Sequence, residues 1–94
     1  MQFEWDARKD QRNRLKHRVS FETATLVFDD PHSLSVPDRI EDDEERWHTI
    51  GMTGGVLLLL VAYTYRGIEG DERIRIISAR KATTRERLLY EKNL

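Results

Sequence analysis

The apolar positions of this chain alternate between helical and extended spacing, and the changes mark out its elements. Phe3-Glu4-Trp5 reads as a short extended segment. Asp6 follows with the side-chain oxygen of a good helix N-cap, and a helix is predicted from Ala7 to about His17. That helix is unusually polar. Arg8, Arg12 and Lys16 recur every four residues as a basic ridge, and Asp10 and Arg14 form a favourable i,i+4 pair. A second helix is predicted from Ser20, because Phe21, Ala24, Val27 and Phe28 recur at helical spacing and form one apolar face. Asp29-Asp30-Pro31 stops it, since the residue before a proline is biased away from helical geometry.

The second half reads as strands. Leu34 to Val36 is a short edge strand closed by Pro37, Asp38 to Glu45 an acidic loop, and Arg46 to Ile50 a strand. Gly51 to Gly55 is a turn region, with Gly54-Gly55 permitting positive φ. Val56 to Tyr65 is apolar at odd and even positions, so both faces should be covered, one by the helical pair and the other by a partner surface. After a turn over Arg66 to Asp71 comes a last strand, Glu72 to Ala79. Strict alternation puts Ile74, Ile76, Ser78 and Arg80 on one of its faces and Arg73, Arg75 and Ile77 on the other. Thr83 and Glu86 have the spacing of a capping box, opening a terminal helix that carries Leu88, Leu89 and Tyr90. Short turns between successive strands favour antiparallel pairing. The prediction is one α+β domain over residues 1–94: a small antiparallel sheet of about four to five strands, packed by two N-terminal helices and one C-terminal helix.

Composition narrows the function classes. The 94 residues include no cysteine, which excludes disulfides, thiolate metal sites and cysteine catalysis, and suits a reducing compartment. The polar stretch Met1 to Arg18 shows no secretory signal, and the apolar run Val56 to Ala62 is far short of the roughly 20 residues that cross a bilayer. A cytoplasmic protein without membrane contact is expected. The net charge of −1 conceals a pattern: residues 1–28 carry +2, residues 29–48 carry −6, residues 49–65 carry no charge, and residues 66–94 carry +3. Because fields are local to about 8–10 Å, the basic flanks can still attract phosphate.

Recognisable catalytic spacings are few. There is no phosphate-cradling glycine loop and no HExxH motif, and His17, His32 and His48 do not have the spacing of a zinc site. The acidic run Glu41 to Glu45 reads as a solvated loop before a cation site, since a metal would want ligands from more than one element. No cofactor is expected. Arg46, Arg66, Arg73, Arg75 and Arg80 lie on or beside strands, where the planar guanidinium fork suits phosphate oxygens and equally suits a neighbouring acid. Trp47, Tyr63 and Tyr65 could stack on bases, although core packing is the default for Trp47. Such a set permits RNA cleavage without metal. The ribose 2′-hydroxyl attacks its adjacent phosphate, a base takes its proton, and cations stabilise the charge that builds on phosphorus. His17 is the candidate acid–base group, with Arg46, Arg75 and Arg80 as candidate phosphate binders. By strict alternation Arg75 and Arg80 fall on opposite faces, so both reach one site only if the strand bends. The same residues would also serve an RNA- or ribosome-binding module without catalysis, or a structural subunit of a DNA-binding complex.

Three ordered blocks of residues resemble the BrnT family of type II toxins. The first is Phe3-Glu4-Trp5-Asp6, Lys9, Asn13, Lys16-His17, Val19-Ser20-Phe21-Glu22, Ala24 and Val27-Phe28-Asp29-Asp30-Pro31. The second is Glu44-Glu45-Arg46-Trp47 with Ile50-Gly51. The third is Tyr63-Thr64, Arg73 through Ala82, Glu86-Arg87 and Tyr90-Glu91. The resemblance implies a RelE-like fold and a ribonuclease that arrests translation and growth. It also implies a BrnA-type antitoxin with a ribbon-helix-helix DNA-binding part, forming a hetero-oligomer that touches DNA only through the antitoxin. Two positions depart from the family pattern. Ala7 stands where proline is usual, and both residues suit a helix start. Arg18 stands where glycine is usual after Lys-His. Either Arg18 adopts a left-handed conformation at a cost of about 1 kcal/mol, or the helix end carrying His17 is reshaped.

Overall fold

The computed structural model describes all 94 residues. In chain order the elements are β1 (Gln2–Glu4), α1 (Ala7–His17), α2 (Phe21–Ala24) continuing as a 3₁₀ segment (Thr25–Asp29), β2 (Leu34–Glu41), β3 (Glu44–Thr53), β4 (Leu57–Ile68), β5 (Asp71–Lys81) and α3 (Thr84–Lys92). The five strands form one sheet in the order β1-β5-β4-β3-β2. The meander β2 to β5 is antiparallel as expected, whereas β1 joins β5 in parallel, so the sheet is mixed. The α+β class holds.

Helix termini follow local chemistry. The Asp6 carboxylate accepts the backbone N–H groups of Arg8 and Lys9, satisfying donors that have no partner inside the helix. Ser20 caps α2 through Thr23 N–H, and Thr83 and Glu86 form the reciprocal capping box of α3. Arg18 ends α1 in the left-handed region, with φ 61° and ψ 28°, and its N–H bonds to the Arg14 carbonyl. The helix end is therefore kept, with arginine where glycine would be relaxed.

The hairpins are tighter and longer than the hydrophobic pattern suggests. The acidic stretch is no loop. β2 runs through Pro37 with an irregularity between Pro37 and Arg39, and the reversal is confined to Asp42 and Asp43, with φ 51° and 63°. Positive φ at both central residues matches the twist of a two-residue hairpin, and aspartate tolerates it better than most side chains. Between β3 and β4 the reversal is confined to Gly54, Gly55 and Val56, with positive φ at the two glycines. Gly51 lies within β3, where an added Cβ would stand 2.8 Å from Val27 Cβ. It is a glycine of close approach, not of turning.

The two sheet faces have different covers. Leu59, Val61, Tyr63, Ile74, Ile76 and Ala79 pack against Val19, Phe21, Ala24 and Val27, with Trp5, Phe28 and Trp47 at the margin. Burying each large side chain there contributes about 1.5–3 kcal/mol. On the opposite face Leu58, Leu60 and Ile50 pack against Tyr90 of α3. The second cover of the apolar strand is thus the chain's own C-terminal helix at that end, not a partner surface.

Where β1 stops, the outer edge of β5 is free, and α1 meets it. The Asn13 side chain donates to the Ala79 carbonyl (2.8 Å) and accepts from Ala79 N–H (3.2 Å), while donating also to the Val19 carbonyl (2.9 Å). One carboxamide thus does locally what a neighbouring strand would do. Asn13→Ala should leave the Ala79 N–H and carbonyl without partners and lower stability by about 2–4 kcal/mol, read as a shift in the urea unfolding midpoint.

Candidate functional site

Strand register decides which arginines share a surface. Ala62 pairs with Ser78 but Tyr63 pairs with Ile76, so Ile77 is an extra, bulged residue in β5. Beyond it the parity reverses. Ala79 takes the core position that strict alternation assigns to Ser78, and Ser78 and Arg80 move to the face of Arg73 and Arg75. The single-parity assignment for β5 is therefore corrected, and Arg75 and Arg80 lie on one face. Arg46 opposes Thr64, which opposes Arg75, and Arg39 opposes Arg46. These residues form one row across four strands. Arg46 and Arg75 are two strand spacings apart, roughly 10 Å between Cα atoms, within joint reach of one phosphate. The adjoining row is Val36, His48, Ala62 and Ser78.

Two hollows adjoin along this strip. One, of about 340 Å³, is lined by Asp38, Arg39, Arg46, His48, Tyr63 and Ser78 among others. The second, of about 300 Å³, lies between α1 and β5 and is lined by Lys9, Arg12, Asn13, Lys16 and His17. Ile77 and Ser78 belong to both. His17 and Arg46 thus flank a common stretch of β5. A larger hollow of about 650 Å³ lies at the far end of the hairpins. Its rim of Asp42, Asp43, Glu44 and Glu45 is unsuited to an anion, so size does not mark the site here.

Carboxylates engage four arginines of this face, Arg39, Arg46, Arg73 and Arg80. Arg39 Nε lies 2.9 Å from Glu41 Oε2 and its Nη1 3.7 Å from Asp38 Oδ2. Arg73 is held by Asp71 (2.9 Å) and Glu4 (3.7 Å). Arg46 Nε is 3.3 Å from Glu41 Oε2, close enough for an ion pair, yet it is buried without an aligned hydrogen-bond acceptor. Arg80 donates through both terminal nitrogens to Glu86, at 2.8 and 2.9 Å, and this pair pins α3 to the sheet. Its fork is occupied, unlike that of Arg75, which is exposed and has no carboxylate within 4 Å.

Sequence reasoning passed over His48. Its Nε2 lies 3.6 Å from Asp38 Oδ2, one row from Arg46 on the same face. The signal was present in the i, i+2 spacing of Arg46 and His48 on the predicted strand, but the approach of Asp38 to His48 appears only once β2 pairs with β3. Two of the aromatic stacking candidates are core residues. Trp47 packs against the core cluster, and the Tyr63 hydroxyl meets Thr49 Oγ1 at 2.8 Å. His32 is exposed elsewhere, its N–H bonded to Asp30. No three His, Asp or Glu side chains converge as a metal-binding group, and no helix is long and apolar enough to cross a membrane.

The profile of the family described as "Ribonuclease toxin, BrnT, of type II toxin-antitoxin system" matches residues 5–86. This chain belongs to the BrnT family. It is a toxin of the type II class, from a family of ribonucleases. Its fold is similar to the 1.1 Å crystal structure of the Brucella abortus ribonuclease toxin BrnT. The TM-score is 0.70 and the identity 24%, over 89% of this chain and 99% of that chain. At this identity the likeness establishes the architecture. No curated protein sequence matches the chain.

α3 of this BrnT chain is tied down by two polar contacts of opposite pH sign. The Glu86 carboxyl is held at about 2, first by the hydrogen bonds from Arg80 and then against the opposing effect of burial. Its stabilisation is complete above about 4.5 and is lost as pH falls through about 2. The Tyr90 hydroxyl donates to Asp30 Oδ2 at 2.6 Å, and that bond, with burial, pushes its pKa up to about 12. This contribution is present below about 10 and is lost as pH rises through about 12. Burial alone would raise the Asp30 carboxyl, but bonds from Tyr90, Met52 N–H and His32 N–H hold it below its ordinary value. Glu86→Gln should cost roughly 1–2 kcal/mol at neutral pH, discounted for solvent at the half-exposed Arg80. Thermal unfolding followed from pH 7 to pH 2 should show the wild-type advantage vanish between about 4.5 and 2.

Proposed function

We propose that this BrnT-family chain is a metal-independent endoribonuclease, cytoplasmic, that arrests translation and growth by RelE-like cleavage of RNA. A BrnA-type ribbon-helix-helix antitoxin neutralises it, and the resulting hetero-oligomer touches DNA only through that partner. The observation that carries this reading is the Arg46-Thr64-Arg75 row on an uncovered sheet face, beside the α1 wall that bears His17.

The chemistry follows from that arrangement. A phosphodiester lying along the row is gripped by Arg46 and Arg75, whose forks match its oxygens and the charge that builds as the ribose 2′-hydroxyl attacks. His17 supplies a proton-transfer group beside it. Lys9, Arg12 and Lys16, which line the same hollow, guide the flanking phosphates. Arg80 contributes by fixing α3 beside the strip and reaches phosphate only when Glu86 releases it.

Purified toxin incubated with RNA in EDTA should yield fragments ending in 2′,3′-cyclic phosphate, and Arg46→Ala and Arg75→Ala should each slow cleavage by about 10²–10³-fold. Intact RNA with a folded sample at high enzyme concentration would sink the nuclease reading. Growth arrest that persists in Arg46→Ala and Arg75→Ala cells without RNA fragments would point instead to binding by occupancy. Relief of arrest on co-expression of the antitoxin tests the partner.

A further inference from the structure

In-line displacement at phosphorus needs two proton transfers on opposite sides of the phosphate. One removes the proton of the attacking 2′-hydroxyl, and the other delivers a proton to the departing 5′ oxygen. A single histidine cannot serve both at once, so a cleft with His17 alone is incomplete. Two carboxyls of α1 and α3 are committed. Asp10 accepts Phe21 N–H and faces Arg14, and Glu86 is bound by Arg80 and Thr83 N–H. His48 is not committed in this way.

From this we infer that His48, oriented by Asp38, is the second proton-transfer group of the same cleft, an inference that rests on the nuclease reading above. His48 lies one row from the Arg46-Thr64-Arg75 row, about 7 Å along β3 from Arg46, so the two long side chains can address one phosphate and the ribose beside it. Its side chain is 34% exposed, so a substrate can reach it. Asp38 Oδ2 stands 3.6 Å from its Nε2, within ion-pair reach of the ring once it takes a proton. The hollow it lines shares Ile77 and Ser78 with that of His17, so the two imidazoles address one stretch of chain from two sides. A carboxylate behind a histidine suits the base, because it faces the charge the ring gains on taking a proton.

His48 therefore takes the 2′-hydroxyl proton as the 2′-oxygen–phosphorus bond forms. His17 gives a proton to the 5′ oxygen as the phosphorus–oxygen bond breaks. The products are a 2′,3′-cyclic phosphate and a 5′-hydroxyl, with no oxidant, reductant or water consumed. The charged groups facing His48 are Asp38, Arg39 and Arg46, and those facing His17 are Lys9, Arg12 and Lys16.

The test is the pH–rate profile of a short RNA, and of the same RNA with sulfur replacing the 5′ bridging oxygen at the cleaved linkage. A thiolate leaves without protonation, so that substrate needs a base but no acid. The wild type should show a bell on the oxygen substrate. His48→Gln and His48→Asn should be about 10²–10⁴-fold slower on both substrates and lack the acidic limb. His17→Gln should lack the alkaline limb and recover on the sulfur substrate. Asp38→Asn should fall less and keep both limbs. If both His48 variants cut within about threefold of wild type with the bell intact, the inference is overturned while the nuclease reading stands. Recovery of the His48 variants on the sulfur substrate overturns the assignment as base. Intact RNA with the wild-type protein removes both readings together.

Discussion

The Asn13 carboxamide bonded to the backbone of Ala79 is the contact on which the arrangement of this toxin turns. β5 has a strand on both sides only as far as Arg75, where β1 ends. Beyond that point its outer N–H and carbonyl groups would be left to water or unpaired. Asn13 satisfies both groups of Ala79 from the side of α1, and so seats a helix where a strand would otherwise be needed. Seating α1 there also opens the hollow that His17, Lys16 and Arg12 line. The same side chain binds the Val19 carbonyl, which ties the sharp exit at Arg18 to the sheet.

Two residues before Ala79 lies the bulge at Ile77, and the two features depend on each other. The bulge reverses the parity of β5, so Ala79 turns to the core while Ser78 and Arg80 join Arg73 and Arg75. The consequence is a division of labour across the sheet. One face is apolar and closed by α2 and the 3₁₀ segment. The other is apolar only under α3, at Ile50, Leu58 and Leu60, and becomes a charged strip beyond it. Glu86, Arg80, Tyr90 and Asp30 mark the boundary and hold α3 to its end of the face.

A chain of net charge −1 can present such a strip because its charges are paired unevenly. Glu41 and Asp38 face Arg39, Arg46 and His48, Asp71 and Glu4 face Arg73, and Glu86 faces Arg80. Arg75 has no such partner. Surface pairs are worth little in water, so they orient the forks without strongly opposing an anion that enters. The basic α1 ridge adds field from the neighbouring wall. Membership of the BrnT family gives this strip its context, and the 24% identity with the Brucella toxin at a TM-score of 0.70 shows how much sequence can change while the sheet and helices stay.

What the sequence by itself determined is whatever short-range chemistry decides. The caps at Asp6, Ser20 and Thr83, the helical stripe from Phe21 to Val27 and the two-sided apolar run of β4 depend on neighbours a few residues away, and all are present, whereas the choice left open at Arg18 was made by the structure, in favour of the left-handed conformation. The blocks that carry the family resemblance are legible for the same reason, since they are read as strings. Long-range pairing decided the rest. The acidic stretch became a hairpin because β2 and β3 satisfy each other's backbone, Gly51 proved to be a packing glycine because Val27 lies over it, and β1 reached β5 across the whole chain. Strict alternation misassigned the face of Ser78 and Arg80, because one residue without a partner shifts everything after it and nothing local announces it. His48 shares a strand face with Arg46 by spacing alone, but its place beside Asp38 and Ser78 exists only once four strands are in register.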